Sequence, residues 1–193
     1  MFFMTPEEGQ FALRTAREVI EKWVRKGEKI RVDKYPESFG DKRGVFVSVH
    51  TYPKRELRGC IGYPEPVMPL IDALVSAAIS ATHDPRFPVL KRTELPNIVI
   101  EVSILTKPKE INVENPSEYP KKVVIGKDGL IVRKRHFSGL LLPQVAEGWK
   151  WNPEEFLMQT CAKAGLPPDE WRSGLCKIYS FRSQIFSENR PPY

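Results

Sequence analysis

The strongest constraint on the fold is the run NIVIEVSIL at positions 97–105. Its apolar residues are mostly β-branched, which is typical of a buried β-strand. Glu101 lies on the face of the predicted strand opposite Ile100. A carboxylate buried in such a strand without a partner is costly. The sequence therefore predicts that Glu101 pairs with an arginine, and Arg58 and Arg86 are the candidates.

Helices and further strands flank this run. Apolar residues recur at helical spacing, and the segments they mark end at capping residues, prolines and glycines. The sequence predicts one α+β domain over residues 1–193, with a mixed or antiparallel sheet, packed helices, and a larger and a smaller lobe. The predicted helices cover 6–26, 67–81 and a segment from Asn152 to Gly165; the predicted strands cover 44–50, about 56–61, 97–105, a hairpin within 123–134 with Asp128-Gly129 at its turn, and 176–186.

The predicted helix over 67–81 is apolar almost all round, which is typical of a buried helix. Its polar residues Asp72, Ser76 and Ser80 are spaced four apart and share one stripe. Such a stripe forms either a hydrogen-bonded seam in the core or one wall of a pocket. We prefer the seam.

Composition narrows the class of protein. The chain of 193 residues has no run of 18 apolar residues, and its first ten residues lack the basic region and apolar stretch of a signal peptide. We expect a cytoplasmic protein without a membrane segment. Many Lys, Arg and Glu residues and few Asn and Gln fit a heat-adapted source.

The charge distribution does not indicate nucleic-acid binding, and the cysteine spacing does not indicate a metal site. The net charge is +6, but acidic residues are interspersed and no nucleic-acid motif occurs, so we do not expect nucleic-acid binding. The three cysteines lack paired spacing and zinc-ligand spacing. We expect no disulfide framework, no metal and no cofactor.

The stretch ELRGCIGYPEP at 56–66 holds the leading candidate site. On a strand, Arg58 and Cys60 face the same way, and a helix beginning near Pro66 would aim its N-terminus at them. Both features would lower the pKa of the thiol and favour Cys60 as a catalytic nucleophile. Gly59 and Gly62 would let a ligand or another backbone approach closely.

The structural alternative treats Cys60 as a small buried residue in a tight turn, with Arg58 in an ion pair with Glu101 or Asp84. Arg86 either joins such a pair or binds a carboxylate or phosphate of a ligand. His83 is a weak candidate base, because the predicted helix would separate it from Cys60 by roughly 22 Å.

Five segments of the chain resemble the AMMECR family, named for a human chromosomal region linked to Alport syndrome, midface hypoplasia and elliptocytosis. They cover nearly the whole chain in the family's order, and LRGCIG is the family signature. The segments are LRGCIG at 57–62, DPRF at 84–87, IEVSIL at 100–105, LPQVAEGW at 142–149, and KAGL followed by Trp171.

The resemblance implies an α+β fold with two lobes and a protein often encoded beside, or fused to, Memo-like and radical-SAM proteins. It implies no reaction. Gln144 joins the expected ligand-binding residues on this basis, whereas Trp149 and Trp171 are expected in the core. The signature residues carried onto this chain are Arg58, Gly59, Cys60, Gly62, Asp84, Arg86, Phe87, Gln144 and Trp149.

Two function classes remain open at this point. The first is an enzyme of the hydrolase or transferase class with a Cys60-centred site, acting with a Memo-like or radical-SAM partner. The second is a non-catalytic module whose groove, lined by Arg58, Cys60 and Arg86, recognises an acidic small molecule or protein tail. RNA binding through the basic patches is a third, weaker hypothesis.

Overall fold

The computed structural model of the protein describes residues 4–192, so Tyr193 and the first three residues of the segment tested for a signal peptide lie outside it. The chain divides into two compact units. Residues up to Leu105, together with those from Gln184 onward, form the first unit, and Thr106–Ser183 forms the second.

The secondary structure of residues 4–192 is mixed, as predicted. Its helices are α1 (Pro6–Lys26), α2 (Leu70–Ala81), α3 (Tyr119–Lys122), α4 (Pro143–Gly148) and α5 (Pro153–Lys163). Its strands are β1 (Val45–Thr51), β2 (Leu57–Tyr63), β3 (Ile98–Leu105), β4 (Lys109–Glu110), β5 (Asp128–Lys134), β6 (Phe137–Leu141) and β7 (Lys177–Ser187). Short 3₁₀ helices cover Glu37–Gly40, Arg92–Asn97, Pro116–Glu118 and Glu170–Ser173.

The first unit is built on an antiparallel sheet in the order β2-β1-β3. Alternate residues of β1 and β3 join the apolar faces of α1 and α2 in one core, because successive strand residues face opposite sides. The prediction of α1 is confirmed: Thr5 and Glu8 form a capping box, and Gly27 ends the helix in the left-handed region.

Helix α2 begins at Leu70, three residues later than the predicted start at 67. A proline disfavours helical geometry in the residue before it, so Pro69 keeps Met68 out of the helix. We expected the N-terminus of this helix to point at Cys60, and that expectation is wrong. Its C-terminal end lies against β2 instead: a Cβ on Gly59 would stand 2.3 Å from the carbonyl oxygen of Ala81.

The polar stripe of α2 is not the core seam that we preferred. Asp72 is exposed and Ser76 is half-buried, and both line a cavity of about 560 Å³ beside the segment 29–35. The alternative of a pocket wall is the correct one for these two residues.

In the second unit β6, β5 and β7 form an antiparallel sheet, and β4 pairs with β7. Asp128-Gly129 does not form the predicted hairpin turn. The buried carboxylate of Asp128 accepts hydrogen bonds from the Val124 backbone at 2.8 Å and from Arg182 at 3.2 Å, so these residues begin a strand. The turn lies between Lys134 and Phe137.

The two tryptophans that we expected in the core differ in how deeply they are buried. Trp171 is 1% exposed, as predicted, and packs in the core of the second unit. Trp149 is 71% exposed, so its assignment to the core is wrong. The indole of Trp149 stacks on Trp151, with the ring centroids 6.2 Å apart.

No helix within residues 4–192 has both the length and the apolar character needed to cross a membrane.

Candidate functional site

Cys60 lies in the middle of β2, directly opposite Ser48 on β1. Its backbone N–H donates to Asp84 Oδ2 at 2.9 Å and its carbonyl accepts from Arg86 Nη2 at 3.2 Å, so both groups point away from β1. Cys60 and Ser48 are therefore a non-hydrogen-bonded pair, the arrangement in which opposed side chains are closest. The Ser48 hydroxyl donates to the half-buried Cys60 sulfur at 3.1 Å.

The DPRF segment closes the free edge of β2. Asp84 is buried, and its carboxylate accepts from the backbone N–H groups of Cys60 and Arg86 and from the Arg86 guanidinium at 2.6 Å. The hydrogen bond from Arg86 holds the pKa of Asp84 well below its usual range. Because β2 is the end strand of this sheet, the Asp84–Arg86 pair supplies hydrogen bonds that a further strand would otherwise make.

Arg58 is also engaged by a carboxylate of the chain. Its Nε and Nη2 atoms donate to the two oxygens of Glu94 at 2.8 and 3.2 Å, a bidentate pair. Burial acts to raise the pKa of Glu94, but the hydrogen bonds from Arg58 and from the Lys91 backbone outweigh it and lower that pKa. The cation expected to activate Cys60 is thus neutralised by Glu94.

Glu101 lies opposite Ser48 on β3, so Cys60, Ser48 and Glu101 form a row across three adjacent strands. The prediction that Glu101 pairs with Arg58 or Arg86 is wrong. Neighbouring strands are about 4.8 Å apart, so β1 holds β2 and β3 about 10 Å from each other. Within the described part of the chain, the half-buried Glu101 carboxylate makes no hydrogen bond or ion pair.

His83 is exposed and makes no hydrogen bond to Cys60 in the described part of the chain. Its Nδ1 lies 3.2 Å from the Thr82 hydroxyl, and its ring centroid is 6.5 Å from that of Trp23. The separation expected from the helix length is wrong, because α2 runs back past β2 and brings the neighbouring Asp84 to Cys60. The side chain of His83 nevertheless has other partners.

Two residues of β1 were missed in the sequence: Ser48 and His50. Both lie on the face opposite the core residues Val47 and Val49, which is the face of Cys60 and Glu101. The alternation in GVFVSVH already contained this signal, since every second residue of that run shares a face. His50 is half-buried and lies one step along that face from Ser48.

The chain itself fills the space at both candidate glycines. A Cβ on Gly59 would meet the Ala81 carbonyl oxygen at 2.3 Å, and one on Gly62 would meet the Phe46 ring at 2.4 Å. Their lack of a side chain thus serves the packing of the strand against α2 and of an aromatic ring against the strand. Gln144 lies in the second unit, where it is exposed on α4.

The other two cysteines are packing residues. Burial raises the pKa of Cys161 to about 11 and also raises that of Cys176, so both thiols stay protonated near neutral pH. Among residues 4–192, no group of three His, Cys, Asp or Glu side chains is arranged to hold a metal ion.

The profile of the AMMECR1 family matches residues 13–186. The chain belongs to the AMMECR1 family. It is 55% identical to protein MJ0810 of Methanocaldococcus jannaschii over 99% of this chain and 95% of that protein. It is 51% identical to protein MK0488 of Methanopyrus kandleri over 97% of this chain and 92% of that protein.

A crystal structure of another AMMECR1-type protein has the same fold. It is the uncharacterized protein PH0010 from Pyrococcus horikoshii, with a TM-score of 0.83 and 47% identity over 98% of this chain and 96% of that chain. The α+β fold class expected from the resemblance is confirmed. These relatives carry no functional names, so the activity must be argued from the site.

Proposed function

We propose that this AMMECR1-family protein is a thiol-dependent enzyme of the hydrolase or transferase class, with Cys60 as its nucleophile. The observation that carries the proposal is the row of Cys60, Ser48 and Glu101 on one face of the sheet, in which Ser48 already donates to the sulfur at 3.1 Å. An unpaired, half-buried carboxylate such as Glu101 is costly for the fold, and such groups are concentrated at functional sites.

The thiol needs a proton acceptor, because Glu94 neutralises Arg58 and Asp84 neutralises Arg86. Imidazole is the side chain best suited to accept a proton near neutral pH. We assign this role to His50, which shares the face of Cys60 and lies two residues along β1 from Ser48. The Ser48 hydroxyl then donates to the thiolate and stabilises it.

The reaction would be an acyl transfer in two steps. The Cys60 thiolate adds to the carbonyl carbon of an acyl donor, and the leaving group departs with the proton held by His50. Water or an acceptor hydroxyl or amine then cleaves the thioester, loses its proton to His50, and the thiol is restored. Glu101 would accept a hydrogen bond from a donor group of the substrate.

The test is the rate of alkylation by iodoacetamide as a function of pH. Because burial raises the pKa of Cys161 and Cys176, mass spectrometry of the unmodified protein should find the label on Cys60 alone near pH 7. We expect His50→Gln to slow that labelling severalfold, and Arg58→Ala to leave it nearly unchanged because Arg58 already binds Glu94. Cys60→Ser is the control without label.

One pair of results would contradict the nucleophile. The alkylation rate of an ordinary thiol reaches half its maximum at about pH 8.5. If Cys60 shows that midpoint, and His50→Gln does not shift the curve of rate against pH, then the thiol is not activated. Activity screening with acyl esters and thioesters should follow only if the curve does move. Cys60→Ser must then abolish any turnover found.

A second candidate is a non-catalytic module that recognises an acidic ligand or protein tail, with a Memo-like or radical-SAM protein as its partner. It is favoured by the Arg86 side chain, which is 58% exposed although it binds Asp84. Binding of a fluorescent oligoglutamate peptide that survives Cys60→Ser and is lost in Arg86→Ala would support this function.

Binding of an RNA oligonucleotide with steep salt dependence would support the RNA hypothesis instead.

A further inference from the structure

The segment 28–35, between α1 and the 3₁₀ helix at Glu37–Gly40, has no regular secondary structure and no backbone partner among residues 4–192. It contains neither helix, turn nor bend, and none of its backbone groups makes a hydrogen bond within the described residues. Ile30 and Val32 are half-buried and pack against the core, whereas Lys29, Arg31 and Asp33 are exposed. This alternation over residues 29–33 matches that of an extended strand lying on the protein surface.

A segment with this alternation can bind a strand of another chain through its main chain. Unpaired N–H and C=O groups in an extended segment are a template for pairing with another chain. The cavity of about 560 Å³ between this segment and α2 provides open space along it, bordered by the apolar Ile71 and Val75 and by Asp72. A paired strand lies only about 4.8 Å from its neighbour, so it fits beside the segment.

The order of charges in the segment is complementary to itself. In an antiparallel pair centred on Arg31, Glu28 faces Lys34 of the other strand, Lys29 faces Asp33, and Ile30 faces Val32. Opposite charges directly across a strand pair are stabilising. The only like-charge contact is Arg31 against its own copy, and Asp33 Oδ1 already lies 2.7 Å from Nε of Arg31 in the same chain and compensates its charge.

We propose that segment 28–35 pairs in an antiparallel manner with the same segment of a second copy of this chain, forming a twofold-symmetric dimer. The interaction is independent of the Cys60 site, which lies on other strands. Main-chain hydrogen bonds supply the binding and the charge pairs set the register. A symmetric contact of this kind is the usual geometry of homodimers.

The test is sedimentation velocity of the full chain between about 10 µM and about 1 mM, a range that covers weak dimers. We expect a concentration-dependent dimer that Arg31→Pro abolishes, because proline removes the central backbone N–H. Arg31→Ala is the matched control: it keeps that N–H, removes the like-charge contact, and should dimerise at least as well. Because residue 31 makes no backbone hydrogen bond among residues 4–192, thermal unfolding of Arg31→Pro should match that of the parent at a concentration where the parent is monomeric.

A charge exchange tests the register. Lys29→Asp turns two symmetric attractive pairs into repulsive ones and should weaken the dimer at least about tenfold. Asp33→Lys should do the same, and the double variant Lys29→Asp/Asp33→Lys should restore it. A chain that stays monomeric over the whole range overturns the proposal, as does a dimer insensitive to Arg31→Pro, and failure of the double variant to recover overturns the register.

Discussion

Replacing Asp84 with alanine removes the side chain that closes the edge of β2 at Cys60. Two backbone N–H groups lose a charged acceptor: that of Cys60 at 2.9 Å and that of Arg86 at 3.0 Å. Hydrogen bonds to charged groups contribute about 1.5–3 kcal/mol each, and water at a sheet edge replaces part of this. We expect the free energy of unfolding to fall by about 2–4 kcal/mol.

Arg86→Ala is the matched control. The Arg86 side chain is 58% exposed, so water replaces part of the hydrogen bonding that the buried Asp84 carboxylate loses in this variant. The carboxylate keeps its two backbone donors, so we expect a loss of about 1–2 kcal/mol, smaller than that of Asp84→Ala. Asp84→Asn keeps one acceptor oxygen for the Cys60 N–H and should fall between the two. Urea denaturation of the three variants measures the loss in the free energy of unfolding. Hydrogen exchange of the Cys60 amide measures directly how well this N–H at the edge of β2 is protected.

The contribution of Asp84 to the free energy of unfolding changes with pH in a definite direction. Because the pKa of Asp84 is lowered in the folded protein, its carboxylate stabilises the fold above the pKa of an unfolded aspartate, about 3.9. This contribution is lost as the pH falls below that value toward the folded pKa. Asp84→Asn should therefore lose less stability than the parent below about pH 4.

Two results would refute the role of Asp84 as the edge closure. The first is an Arg86→Ala variant as destabilised as Asp84→Ala, which would mean that the ion pair with Arg86, and not the hydrogen bonds to the backbone, contributes most of the energy. The second is Cys60 amide exchange that stays slow in Asp84→Ala, which would mean that this N–H does not depend on the carboxylate.

Other substitutions test the packing and the caps. Gly59→Ala should lower the free energy of unfolding by about 1–3 kcal/mol, because its Cβ would stand 2.3 Å from the Ala81 carbonyl oxygen. Gly40→Ala is the control with nothing within 4 Å, and it should be nearly neutral in the same urea titration. Thr5→Ala should cost about 1 kcal/mol, since Thr5 accepts the Glu8 N–H in the capping box of α1; a neutral result would show that helix end to be frayed.

Local signals in the sequence were sufficient for several elements. The capping box, the apolar stripe and Gly27 defined α1, and β-branched runs defined β1 and β3. These signals involve residues within a few positions of one another, and their energies do not depend on distant parts of the chain. Along β2 the local pattern was less reliable: Gly59 pairs with Val49 and Leu57 with His50, so Arg58 is an extra residue in a bulge. The strict alternation that predicted Arg58 and Cys60 on one face does not hold there.

Two of the errors arose where contacts in the folded chain override a local preference. Asp128-Gly129 has the composition of a turn, but Val124 and Arg182 hold the carboxylate in place at the start of β5. Trp149 is apolar by composition yet 71% exposed, because burial is decided by what packs on a residue.

By itself the sequence determined the fold class, the family and the candidate status of Cys60, because composition, periodicity and signature residues are local properties of the chain. Only the tertiary structure decided which charges meet. It paired Arg58 with Glu94 and Arg86 with Asp84, and it left Glu101 beside Ser48 without a partner among residues 4–192. Ion pairs form between groups a few ångströms apart in space, and the order of strands in a sheet sets those distances.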